Sequence, residues 1–257
     1  MVLQTNQLLQ LKYDHINYLG FVFCSTICSY NFHWYLTPFA VGETERAAWT
    51  RRHRKFNILF FLLGLLGSAW FFFSFIHFWF WMLLPVVLTF LYSAPKLPFS
   101  LFNLIKKVAY GKTLFLAFVW MYVSTLLPII LHEGPGTGAG SIFCISRFSF
   151  IYAICILFDY RDRENDKREG IRSLITFLDE RGINILFYCS IIIFFLSTFA
   201  LYFYHFNLAT LLSLLIPGFI VLLLFGKAKR NFSDYLYYFV LDGMMMFSAL
   251  FTFLLRF

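Results

Sequence analysis

Three aspartates, Asp159, Asp162 and Asp166, lie in the stretch FDYRDRENDKREGIRSL (158–174), a dense run of charge closing a long apolar segment. In a helix, positions i, i+3 and i+7 share one face, so this spacing lines three carboxylates up in a stripe. Like charges so placed repel by about a few tenths of a kcal/mol per pair. Carboxylate oxygens are also the donors that Mg²⁺ takes, with water and ligand phosphates completing its shell. Ordinary ion pairing competes with that use. Asp159 with Arg163 and Glu164 with Arg168 are i,i+4 pairs with the acid first, the favoured order. Pairing leaves Asp162 and Asp166 with only Arg163 near them.

The elements that must hold this stripe are membrane helices. Of 257 residues, 60% are hydrophobic, 23% aromatic and 13% charged, with a mean hydropathy of +0.73. Soluble domains are roughly 45 to 50% apolar. Apolar runs near the roughly 20 residues needed to cross a bilayer recur along the chain, and none alternates with the period of a barrel strand. The expected fold is therefore all-α, a polytopic transmembrane helical bundle forming a single domain over 1–257. Its predicted spans are about eight: 16–40, 56–76, 78–93, 113–131, 141–158, 183–204, 208–225 and 235–256.

The net charge of +8 is concentrated in loops at 42–55, 94–112, 159–182 and 226–231, while the breaks at Ile76 and His77, 132–140 and 205–207 carry no Lys or Arg. That alternation puts every basic loop on one face, the cytoplasmic one, with room there for helical caps. It accounts for the charge without nucleic acid. In a bacterium the protein would reside in the plasma (inner) membrane. Five cysteines, odd in number and inside apolar segments, read as thiols rather than as disulfides or a metal cluster.

The pattern Asp159-x-x-Asp162-x-Glu164-x-Asp166-x-x-x-Gly170-x-x-Ser173-Leu174 resembles the second aspartate-rich motif of the UbiA superfamily of intramembrane prenyltransferases. Tyr92-Ser93-Ala94-Pro95, at the end of the third predicted span, is similar to that family's Tyr-Ser-x-Pro element. The resemblance implies a bundle with a cytoplasm-facing cavity that binds an isoprenoid diphosphate through Mg²⁺. Ionisation there would give an allylic cation for a lipophilic acceptor to attack. It further implies that Asp159, Asp162 and Asp166 hold the metal and act with Tyr92 in catalysis. Asn31, Ser93, Arg163, Lys167 and Arg172 would contact substrate. Basic side chains offset charge on a leaving diphosphate, and aromatic faces stabilise a cation in a dry cavity.

The family's first motif, Asn-Asp-x-x-Asp-x-x-x-Asp, should fall near the end of the first predicted span. There Asn31 agrees, but Phe32, Tyr35 and Phe39 occupy the acid positions. Glu43 and Glu45, or the basic run from Arg51 to Lys55, are solvated-loop residues rather than matched replacements. The family has nine spans, and the offset points to an N-terminal helix upstream of Met1. The alternative function is a non-catalytic relative that binds an isoprenoid or scaffolds a membrane pathway. Phosphatidyl-alcohol transfer is disfavoured because Arg163 and Glu164 stand where that stripe needs other residues. Paired broken helices and internal repeats, expected of a transporter, are not evident. Asp242, inside the last span, is either a functional acid or hydrogen-bonded to a neighbour. Arg147 is expected to snorkel to the outer surface.

Overall fold

The computed structural model describes residues 1–36, 49, 52–93, 111–134, 138–168 and 173–254. Among them the chain is helical, with no strand. It divides into two compact units, Tyr13–Ile105 and a larger one that joins Met1–Lys12 to Lys106–Phe257.

In the smaller unit, α2 (His15–Leu36) packs along α3 (Arg54–Phe72). Small residues permit the approach. A Cβ on Gly64 would stand 2.7 Å from the Cys28 backbone nitrogen and 2.8 Å from the Cys24 carbonyl oxygen, and one on Gly67 would meet Cys24 Sγ at 2.6 Å. In a bilayer, where apolar surface is solvated by lipid, such close backbone packing is a main source of helix association.

A 3₁₀ step, Phe73–Phe78, carries α3 on into α4 (Trp79–Ser93), with the Phe75 backbone at φ −120, ψ 25 marking a kink. Two separate spans with a tight turn at Ile76 and His77 were expected. The structure has one run, Arg54–Thr89, of 36 residues. The stretch from Ser68 to Leu84 contains no glycine or proline, so the two halves are joined by a tightened, kinked 3₁₀ step rather than by a separate turn.

The larger unit is organised around α7 (Gly138–Arg168), whose residues Phe150 to Leu157 are all buried. A half-lipid-facing helix would show one apolar stripe; burial on every face marks this one as the centre. Around it stand α5 (Lys112–Met121), α8 (Leu174–Phe177) and α9 (Glu180–Ala200), with α10 (Leu208–Ala228) against α9 and α11 (Asp242–Leu254) against α10. Between α5 and α6 (Leu127–Leu131) lies a π turn, Tyr122–Leu126, and a second π turn, Tyr235–Leu241, leads into α11. The short α1 (Val2–Leu8) packs against the first π turn and α11. Side chains cap helix starts: Asp14 accepts from Asn17 N, Ser173 from Thr176 N, Asp179 from Gly182 N and Asn207 from Thr210 N.

Among the described residues, six helical segments are long and apolar enough to cross a membrane, as befits an integral multi-pass protein. Against the eight expected spans, the second and third fall in one continuous run, and α2 is more polar than the six, carrying Asn17, Ser25, Thr26, Ser29, Asn31 and His33. Arg147 overturns its expectation outright. Its side chain does not snorkel but is 1% exposed, inside the larger unit. Snorkelling requires a lipid-facing stem, and the Arg147 stem faces inward, unlike that of Ile145 two residues earlier. The cysteines are free thiols, Cys155 buried and Cys189 exposed on the surface.

Candidate functional site

α7 has 31 residues, about 46 Å at 1.5 Å per residue. A hydrocarbon core is about 30 Å thick, so the charged end of α7 stands beyond it. The helix does continue through Arg168, and the aspartates do form a stripe. At 100° per residue Asp166 lies within about 20° of Asp159, whereas Asp162 is turned about 60° away. Burial follows those angles: Asp159 and Asp166 are each 7% exposed, while the Asp162 side chain is 42% exposed.

Each carboxylate has its own surroundings. Thr113, one residue into α5, donates its hydroxyl to Asp159 Oδ2. Asp162 Oδ1 accepts from Arg161 Nε at 2.9 Å. The Arg161 guanidinium also donates to Tyr238 Oη at 2.8 Å, lies 3.6 Å from Asp234 Oδ1, and stacks over Tyr237 and Tyr238 at 4.8 and 4.7 Å. Arg161 therefore fastens α7 to the second π turn.

The expected intrahelical pairs do not form as spaced. Arg163 turns from Asp159 to Glu180 Oε1 at 3.4 Å and to the Leu178 carbonyl at 2.5 Å. Glu164 pairs with Lys167 at 2.9 Å rather than with Arg168. The reason is burial: Asp159 faces inward toward α5, so the exposed-side arginine finds its acid on α9. Glu180 is shared further, accepting from Tyr160 Oη at 3.0 Å and from Lys229, which also donates to Asn184 at 2.8 Å. One glutamate thus ties together α7, α9 and α10.

The other expected site residues are divided. Tyr92 and Ser93 end α4, their side chains outside the described residues; Arg172, with Phe39, Glu43, Glu45 and Gly170, lies outside them too. Asn31, in the smaller unit, donates to the Ile27 carbonyl at 2.7 Å along its own helix. At the acid positions of the first motif, Phe32 stacks on Phe61 of α3 at 5.6 Å. Tyr35 Oη accepts from Arg54 at 2.7 Å, with the guanidinium 4.4 Å over its ring. Both aromatics serve the α2–α3 contact. Asp242 begins α11 directly after the second π turn and is half-buried.

Two partners went unforeseen. Thr113 carries no sequence signal beyond a hydroxyl near a helix start. Arg161 was passed over because it is one residue out of phase with the stripe. Among the described residues no three His, Cys, Asp or Glu side chains are grouped to hold a metal. No family model matches the chain, and neither a curated protein nor a solved structure matches it.

Proposed function

We propose that this chain is a UbiA-like membrane prenyltransferase, which moves a polyprenyl group from an isoprenoid diphosphate to a lipophilic acceptor at the charged end of α7. The supporting observation is that Asp159 and Asp166 are buried on one face of a helix that outruns the bilayer. Solvated ion pairs would leave that face open to water.

The donor chemistry suits Mg²⁺, yet no grouped set of three donors is present among the described residues. The stripe fits an ion that takes one or two carboxylates and completes its shell from water and diphosphate oxygens. When bound, such an ion supplies positive charge against the leaving diphosphate. Lys167, paired with Glu164 along the helix surface, can swing from there to phosphate. Arg163 is committed to Glu180 and Leu178 and would act by holding α7 in register. Phe158, Tyr237 and Tyr238 offer ring faces at the same end.

The finer topology in this proposal has eight spans, counting α2 and both halves of the kinked run, with basic loops and caps on the cytoplasmic face of a plasma membrane. A second reading, non-catalytic isoprenoid binding, is favoured by Phe32 and Tyr35, whose ring contacts occupy the positions of the first motif.

Calorimetric titration with a non-hydrolysable prenyl diphosphate, with and without Mg²⁺, tests binding in wild type, Asp162→Asn and Asp166→Asn. Metal-dependent binding weakened at least about tenfold in Asp166→Asn, a loss of roughly 1.4 kcal/mol, is expected. Identical binding in all three would remove the site. Turnover of labelled geranylgeranyl diphosphate then separates the two readings: binding without transfer to any quinone-precursor acceptor favours the second.

A further inference from the structure

We infer that Arg147 anchors a buried anion site, covered by α1, that takes the carboxylate or phosphate group of an anionic amphiphile. The site is remote from the aspartates and does not rest on the function proposed for them. Arg147 lies nine residues into α7, about 14 Å along the helix axis. It sits inside a segment apolar enough to span a bilayer. A guanidinium at such depth is costly unless it is paired.

Every partner it has is neutral. Nη1 donates to Gln4 Oε1 at 3.4 Å and to Ser248 Oγ at 3.1 Å, and the Phe143 ring lies 4.8 Å from the guanidinium carbon. No acidic side chain among the described residues pairs with it. Nε and Nη2, both buried, have no hydrogen-bond partner. Those two nitrogens form one edge of the guanidinium fork. That edge donates two parallel hydrogen bonds to two oxygens of a single carboxylate or phosphate. The unused donors are thus a matched pair with the geometry of one anion.

The cover is α1. Gln4 Nε2 reaches the Ser248 carbonyl at 2.9 Å, Ser248 Oγ at 3.1 Å and Thr252 Oγ1 at 2.7 Å. Thr5 Oγ1 donates to the Ser124 carbonyl at 2.8 Å, inside the first π turn. These ties are made from a helix of only seven residues, so α1 can lift without unfolding the bundle. An anion arriving at the non-basic end of α7 would replace buried, unpaired donors with a charge-assisted pair.

Two variants test this. Arg147→Gln removes the charge; Gln4→Glu supplies an internal carboxylate where the neutral amide now stands. Each protein, delipidated in neutral detergent, is melted with added phosphatidylglycerol, phosphatidylcholine, oleate or inorganic phosphate. Wild type should gain roughly 5 °C with phosphatidylglycerol or oleate over phosphatidylcholine. Gln4→Glu offsets the guanidinium charge from the Nη1 side and should respond less to added anion than wild type does. Arg147→Gln, if it folds, should be unresponsive. A rise with inorganic phosphate as large as with the lipids would assign the anion to a free ion, and a rise with lipids alone to a head group. The proposal is overturned if no anion shifts wild type relative to phosphatidylcholine, or if Gln4→Glu responds as wild type does.

Discussion

A buried carboxylate costs free energy in proportion to the donors it lacks, and Asp159 depends on the Thr113 hydroxyl for one of them. Thr113→Val keeps the shape and removes that donor. It should lower stability by about 1 kcal/mol, with a larger loss in Thr113→Val than in Thr113→Ser, read from thermal melts in detergent. Glu180 makes the opposite case: half exposed but shared by three helices, it accepts from Tyr160, Arg163 and Lys229. Glu180→Gln should cost about 1 kcal/mol, read as a lower melting temperature in detergent. The stripe itself was legible from spacing alone, because a seven-residue interval fixes helical phase. The fate of its charges was not. Whether Arg163 meets Asp159 or Glu180 depends on which face of α7 is covered, and only the packed neighbours decide that. Arg147 failed for the same reason. Its partners Gln4 and Ser248 are 143 and 101 residues away in sequence.

At the scale of elements, the apolar runs announced helices, and the structure gives helices in each. Their joints were less readable. A break was expected at Ile76 and His77, where the sequence offers phenylalanine and tryptophan rather than a residue that favours a turn. The result is a 3₁₀ step with a kink. The α2–α3 pair was likewise hidden, since its decisive residues are two glycines whose role is to be small. Gly64→Val would drive a side chain into the Cys24 and Cys28 backbone. It should separate the two helices at a cost of about 2 kcal/mol, seen as a lower melting temperature and faster cleavage near residue 50. Gly226, where an added Cβ would meet only an arginine tip at 3.9 Å, should tolerate alanine with little change.

For the whole molecule, the kinked run decides sidedness. Its 36 residues extend about 54 Å when straight, against a hydrocarbon core of about 30 Å. Crossing twice would place the basic loops 42–55 and 94–112 on one side, and crossing once would place them on opposite sides. Positive charge favours the former. In a variant without native cysteines, Thr50→Cys and Ser100→Cys should therefore both resist an impermeant maleimide added outside intact cells and both react after permeabilisation. Labelling of either one from outside would refute the shared face. Composition was enough to place the chain in a membrane. It could not count the crossings, because charge patterns report only where the chain surfaces, not how it travels in between.

The central helix carries a further mechanical implication. Arg147 and Asp159 are twelve residues apart on one unbroken hydrogen-bonded rod, about 18 Å end to end. Such a rod barely compresses, so it works as a piston rather than a spring. An axial displacement of a fraction of a turn at the Arg147 end arrives undiminished at the carboxylates, shifting them without any intervening hinge.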